Sequence, residues 1–258
     1  MPFVARFNVA PVKSAQLQHP ELIELTPSGA AGDRRFLFLD PEGHRFAGEA
    51  KAGILGIGTR YAAETDHLTL TFPDGYEVGG PATPSGQALT VALYDHEARV
   101  RAVEGPFADA VTAHIGREVR LARMQDDERA GGLPPVSLVS LASVADLAAR
   151  GGVGRLDPRR FRMLIELDGC DAYEEDAWAG RVLRIGQAEL LVRGPTYRCT
   201  LTNLDPDTGE RDFPTLDLLA TYRRSDDGLE FGRYADVRRT GRVKVGDQVE
   251  VLAPETSG

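Results

Sequence analysis

Tyr197-Arg198-Cys199-Thr200-Leu201-Thr202-Asn203-Leu204-Asp205-Pro206-Asp207-Thr208-Gly209 sets a cysteine between a strand-like run and a turn. Upstream, Ala188 to Arg193 has strand composition and Gly194-Pro195 interrupts it; downstream, Asp205 to Gly209 is dense in turn residues. Cys199 therefore stands where the chain enters a loop. A thiolate there is a soft ligand for a metal such as molybdenum, or a nucleophile, and Arg198 adds a cation beside it. The segment alone leaves open the alternative of a buried thiol acting as a small apolar residue.

The bulk composition narrows the choice of chemistry. A chain of 258 residues, 42% hydrophobic and 27% charged, has the length and content of one large or two modest globular domains. A formal charge of -9 argues against a general binder of nucleic acid or anionic membranes and leaves room for a local basic pocket. The apolar run at Met1 to Phe7 is too short for a signal peptide, and no stretch of about 18 apolar residues is present. Cytoplasmic residence is the default expectation. Two cysteines, Cys170 and Cys199, cannot supply a four-thiolate zinc or iron-sulfur site. These bounds point to a small-molecule site.

The first hundred residues read as mainly β. Phe3 to Val9 is an opening strand broken by Ala10-Pro11-Val12-Lys13-Ser14, and Gly32-Asp33-Arg34-Arg35 leads into the apolar run Phe36 to Leu39. His67 to Phe72 alternates with period two, and Pro73-Asp74-Gly75 turns it into a hairpin with Tyr76 to Val78. Strands over Ala88 to Tyr94 and Ala98 to Val103 follow at barrel-like spacing. Composition then changes. Pro106, the 4-residue spacing of Phe107, Val111 and Ile115, and Gly116 define a short amphipathic helix on which His114 is structural. Gln125 to Pro135 reads as a mobile loop, and Val136 to Val139 as a strand. Ser140 then caps a helix carrying Leu141, Val144 and Leu147 and ending at Gly151-Gly152. Pro214 to Tyr222 is a further helix, and two short strands flank Gly246-Asp247.

Several charged residues have two readings. Lys13 and Ser14 at a strand exit are phosphate ligands or solvated surface; Arg34 is an anchor or one half of a surface ion pair. Asp157-Pro158-Arg159-Arg160-Phe161-Arg162 is a basic cluster feeding the buried strand Met163 to Asp168 in an acidic protein. Ser140 is a helix cap whose first-turn N–H groups also suit an anion. Glu174-Glu175-Asp176 reads as an acidic surface loop and Trp178 as a packing anchor.

Arg198-Cys199 followed by Asp205-Pro206-Asp207-Thr208-Gly209 resembles the signature of the MOSC family, named for the C-terminal domain of molybdenum cofactor sulfurase. Pro11-Val12-Lys13-Ser14, Asp33-Arg34, Phe161-Arg162, the acidic-then-tryptophan segment to Trp178 and the closing Val245-Gly246-Asp247-Gln248-Val249 lie in the family's order. Ala10 replaces a common tyrosine and Leu164 a common asparagine. The resemblance implies a mainly β fold with a few short helices, divided into an N-terminal β region over 1–104 and a MOSC-type β-barrel domain over 105–254. It implies a molybdopterin cofactor, with Cys199 ligating molybdenum and Lys13, Ser14, Arg34, Ser140, Arg162 and Arg198 holding the pterin and phosphate. Thr202 and Asp205 would support the cysteine, Asp205 alternatively stabilising its own turn. The pattern is most similar to the amidoxime-reducing branch, which implies reduction of N-hydroxylated small molecules. Two cysteines are too few for a cluster, so electrons are expected from a separate donor protein, and the acidic charge and lack of an apolar span give the expectation of no nucleic-acid or membrane partner. Two other roles stay open: sulfur transfer through a Cys199 persulfide, and non-catalytic carriage of the cofactor.

Overall fold

The computed structural model describes residues 1–46, 52–93, 96–125 and 134–252. Residues 126–133 of the loop expected between Gln125 and Pro135 lie outside this set. Seven strands form the largest sheet, in the spatial order Phe3–Phe7, Ile165–Asp168, Val136–Ser140, Glu230–Arg239, Ala188–Tyr197, Val182–Ile185 and Val249–Val251. Every neighbouring pair is antiparallel except Val136–Ser140 beside Ile165–Asp168. The edges of the sheet meet: the Val4 N–H donates to the Asp247 carbonyl at 2.9 Å, and the Val249 N–H to the Pro2 carbonyl at 2.8 Å. The sheet thus curls into a nearly closed barrel, which removes the open edges that invite aggregation.

Alternation along the strands fills the barrel. Leu183 and Ile185 are fully buried while Arg184 points out, and across the hairpin Ala188, Leu190 and Val192 turn inward. Val4, Phe7, Leu138, Ile165 and Leu167 complete the same core, joined by Trp178 in its expected packing role. The parallel pair needs a crossover, and the helix Leu141–Arg150 lies in that connection. Its apolar face, Val144 and Leu147, meets Leu219 of the helix Thr215–Tyr222 together with Phe161, Phe213 and Phe231.

The N-terminal region is β as expected. Phe36–Leu39, Arg120–Met124, His96–Val103 and Pro84–Leu93 form one antiparallel sheet, and Gly58–Ala62, His67–Thr71 and Glu77–Pro81 form a meander. The expected hairpin pairs Leu70 with Val78. The helix Phe107–Ile115 ends at Gly116 in the left-handed region and buries Phe107 and Val111 against this meander; His114 packs edge-on to the Phe72 ring at 5.2 Å. Pairing crosses residue 104 in both directions. Phe3–Phe7 belongs to the barrel, Arg120–Met124 belongs to the N-terminal sheet, and Leu22–Thr26 pairs with Gly241–Lys244. The segments that carry the candidate site residues are thereby tied together from both ends of the chain.

Candidate cofactor and cysteine site

The Ala188–Tyr197 strand ends two residues before Cys199, which has extended backbone (φ -121°, ψ 176°) and opens a 3-10 turn over Thr200–Asn203. Its carbonyl is fixed, accepting from the Thr202 N–H at 3.1 Å and from Thr202 Oγ1 at 3.0 Å. Its thiol side is exposed. The buried-thiol alternative therefore does not describe Cys199. It describes Cys170 better, a half-buried thiol that burial pushes above the ordinary cysteine range.

Two arginines brace the loop that follows. Arg160, 4% exposed, makes a two-pronged contact with Asp212 at 2.7 and 3.1 Å, donates to the Thr202 carbonyl at 3.2 Å and lies over the Phe213 ring at 5.5 Å. Arg159 bridges Asp157 and Asp207, with contacts of 2.6 Å to each, and these two carboxylates hold its guanidinium well above its ordinary pKa. Asp205 Oδ1 accepts from the N–H groups of Thr208 and Asp207, which pulls its carboxyl below the usual range. That is the turn-stabilising role. The loop ends at Gly209 (φ +72°), where a Cβ would stand 2.8 Å from the Ala52 carbonyl, so only glycine lets the loop seat on the N-terminal region.

Three further segments converge beside it. The Lys13 N–H donates to the Phe36 carbonyl at 2.8 Å, and the Arg34 N–H to the Ala10 carbonyl at 2.7 Å. The Arg34 side chain pairs with Asp33 and donates to the Arg162 carbonyl at 3.1 Å, while Arg162 Nη2 reaches the Ala15 carbonyl at 2.6 Å. Arg198 turns back to the Phe161 carbonyl at 3.0 Å and Met163 Sδ at 3.2 Å. Lys13, Ser14, Arg34, Arg162, Arg198 and Cys199 are therefore carried on segments stitched to one another. Backbone strain marks the same place. Of the five non-glycine residues with positive φ among those described, three are Ser14 (70°), Arg34 (52°) and Arg162 (52°). Left-handed backbone at residues other than glycine persists where the surroundings over-determine it, and it concentrates at functional sites.

Ser140 does not join this group. It is fully buried; its Oγ accepts from the Ala142 N–H at 3.1 Å and donates to the Asp171 carbonyl at 3.3 Å. The helix start is already occupied by an internal carboxylate. Glu175 Oε1 takes the Ser140 N–H at 3.3 Å and the Ser143 hydroxyl at 2.9 Å. The acidic surface loop expected over Glu174 to Asp176 is thus corrected: Glu175 is fully buried, and Asp176 binds Arg223 and Arg233 at 2.7 and 2.9 Å. Leu164, at the asparagine position, lies in the barrel core.

Burial raises the Glu175 pKa, which gives a signed prediction. A folded pKa above the unfolded value favours the folded state at low pH, and that advantage is lost as pH rises toward the folded pKa. Glu175→Gln has no proton to lose. Its melting temperature relative to wild type is expected to increase as pH rises from about 4 to about 7. A difference that is flat or falls across that range contradicts the burial argument.

Sequence reasoning missed Arg159 and Arg160 as loop braces, because Asp207 and Asp212 lie some fifty positions away. It also missed Asn8, whose Nδ2 donates to the Met163 carbonyl at 2.7 Å and fixes the peptide just beyond Arg162. The available signal was a polar residue inside an apolar strand run.

Among the described residues no group of three His, Cys, Asp or Glu side chains is placed to hold a metal ion. What the described residues do bring together is one exposed cysteine, Cys199, and several arginines on segments bonded to one another. Likewise among them, no helix is long and apolar enough to cross a membrane.

Comparison with known proteins extends the likeness well beyond the cysteine segment. The MOSC domain model matches residues 126–250. Mitochondrial amidoxime reducing component 2 of Homo sapiens is 38% identical over 281 residues, covering 95% of this chain and 82% of that protein. Mitochondrial amidoxime-reducing component 1 of Homo sapiens is 29% identical over 290 residues (96% and 82% covered), and that of Danio rerio is 28% identical over 277 residues (95% and 83% covered). With the domain model matched over residues 126–250 and 38% identity to a relative across 95% of its own length, the chain belongs to the MOSC-domain family, alongside the amidoxime-reducing components.

Proposed function

We propose that this protein is a molybdenum-cofactor oxidoreductase that reduces N-hydroxylated or related N-oxygenated small molecules, taking electrons from a separate donor protein. Family membership supports the cofactor-associated part. The observation that supports the rest is one exposed cysteine, Cys199, next in sequence to Arg198, which bonds back to the strained segments that carry Arg34 and Arg162. When bound, the cofactor supplies two-electron redox chemistry at molybdenum. Cys199 would be the protein's ligand to that metal, and Lys13, Ser14, Arg34, Arg162 and Arg198 would hold the pterin and phosphate by charge-assisted hydrogen bonds. The left-handed backbone of Ser14, Arg34 and Arg162 and the cross-bonding of these segments fix them before the cofactor arrives, so little ordering cost is left for binding. Arg159 and Arg160 act one layer out, holding the loop so that the thiolate is presented in one place.

The test is turnover. Full-length protein from molybdate-supplied cells, given a dithionite-reduced viologen dye, is expected to oxidise the dye only when an amidoxime is present and to release the amidine. Metal-loaded protein that leaves the dye reduced with every N-oxygenated compound offered would overturn the reductase assignment in favour of cofactor carriage.

A further inference from the structure

Strand geometry puts a second side chain beside the thiol. Along the end of Ala188–Tyr197, Thr196 is 1% exposed with its hydroxyl on the Phe231 carbonyl, and Arg198 points back to Phe161 and Met163. Residues 197 and 199 occupy the opposite face, and both are exposed. Positions i and i+2 on extended chain stand on one side about 7 Å apart. Tyr197 is therefore the large side chain on the face that presents Cys199, and at 44% exposure it is among the most exposed aromatic residues described.

The ring is held, not loose. Its hydroxyl donates to Asp227 Oδ2 at 3.3 Å, and its inner side lies on Gly228 (φ +149°), where even a Cβ would come within 3.2 Å of Cδ1. The Ser225–Gly228 turn that carries both contacts is closed by the Ser225 N–H on the Gly228 carbonyl at 2.9 Å, and Arg198 N–H donates to the Leu229 carbonyl at 2.8 Å, tying the turn to the cysteine segment. One side of the ring is backed by glycine, and 44% of the residue stays exposed. An isolated exposed aromatic residue is ordinary. One that is oriented by a carboxylate, backed by a glycine and set on the face of the functional thiol is a preformed surface for a flat ligand.

We propose that Tyr197 is a specificity-determining residue whose ring stacks on the substrate, so that the site prefers N-oxygenated compounds bearing a planar π-system over aliphatic ones. The inference rests on the reductase reading and adds a substrate class to it. Stacking of a fixed ring on an aryl amidoxime gains dispersion and quadrupole energy at little entropic cost, and an alkyl amidoxime gains almost none.

The experiment compares benzamidoxime with acetamidoxime on the wild-type holoprotein, Tyr197→Ala and Tyr197→Phe. Tyr197→Ala is expected to raise KM for benzamidoxime about three- to tenfold and to leave acetamidoxime within about twofold. Tyr197→Phe keeps the ring and stays close to wild type, which separates stacking from loss of the Asp227 hydrogen bond. Equal effects on both substrates, or none on benzamidoxime, overturn the proposal. Saturation-transfer NMR with benzamidine on the purified protein decides independently of turnover. A signal in wild type and Tyr197→Phe that is lost in Tyr197→Ala supports stacking even if neither amidoxime is reduced, in which case the reductase reading alone fails. No wild-type signal, or one unchanged in Tyr197→Ala, overturns stacking.

Discussion

Cys199→Ser protein is expected to lose reduction of N-hydroxylated substrates by on the order of 100-fold or more, while melting within about 2 °C of wild type. The two halves of the result have different causes. Serine replaces a soft sulfur with a hard oxygen, so a soft metal bound there would lose its protein ligand. The fold loses almost nothing, because the Cys199 contacts with Thr202 run through its backbone carbonyl and the side chain is exposed. Viologen-linked turnover and a thermal melt on the same preparation check both. Full activity in a folded Cys199→Ser protein would remove the thiolate from the chemistry.

Arg160→Met is expected to act in the opposite order, on stability first. The guanidinium is 2% exposed in its side chain and its Asp212 partner 38%. Removing it leaves Asp212 without its counter-ion and the Thr202 carbonyl without this donor. Breaking a fully buried pair costs about 3–5 kcal/mol; because Asp212 is partly solvated, about 2–3 kcal/mol is expected here. For a chain of this size that is a fall of roughly 5–10 °C in melting temperature. Methionine keeps the length and apolar stem against Phe213, so packing loss is small beside the lost charge contacts. Activity measured well below the new melting point is expected to fall as well, since Thr202 holds the Cys199 carbonyl. A melting temperature within about 1 °C of wild type would show that the clamp carries no net stability.

Local signals in the sequence were reliable where a single segment decides its own structure. The Ser140 cap, the proline before and glycine after Phe107–Ile115, and the hairpin around Asp74-Gly75 all formed where the residue chemistry places them. The strand Glu230–Arg239 escaped notice although it is central to the barrel. Its Arg233 stays in register in the sheet while its side chain pairs with Asp176, so the strand carries charge where an interior strand normally shows an apolar run. Leu22–Thr26 escaped because it is short: its local partner Gly29–Ala30 has only two residues, and its longer partner Gly241–Lys244 lies more than two hundred residues away. The candidate site divides along the same line. Cys199, Lys13, Arg34 and Arg162 stand out through a pattern shared with a family, whereas Arg160 and Asn8 acquire their roles only through distant partners. Glu175 was misread because a run of three carboxylates looks solvated until a helix start and a serine hydroxyl are folded against one of them.

The most direct measurement is molybdenum per polypeptide, with fluorescence of the acid-released pterin, on wild-type and Cys199→Ser protein purified from cells supplied with molybdate and shown to load another molybdoenzyme. Near-stoichiometric metal and pterin in wild type, with metal falling in the variant, is the predicted result. Neither metal nor pterin in either protein would contradict cofactor binding at this site and turn attention to sulfur transfer through Cys199.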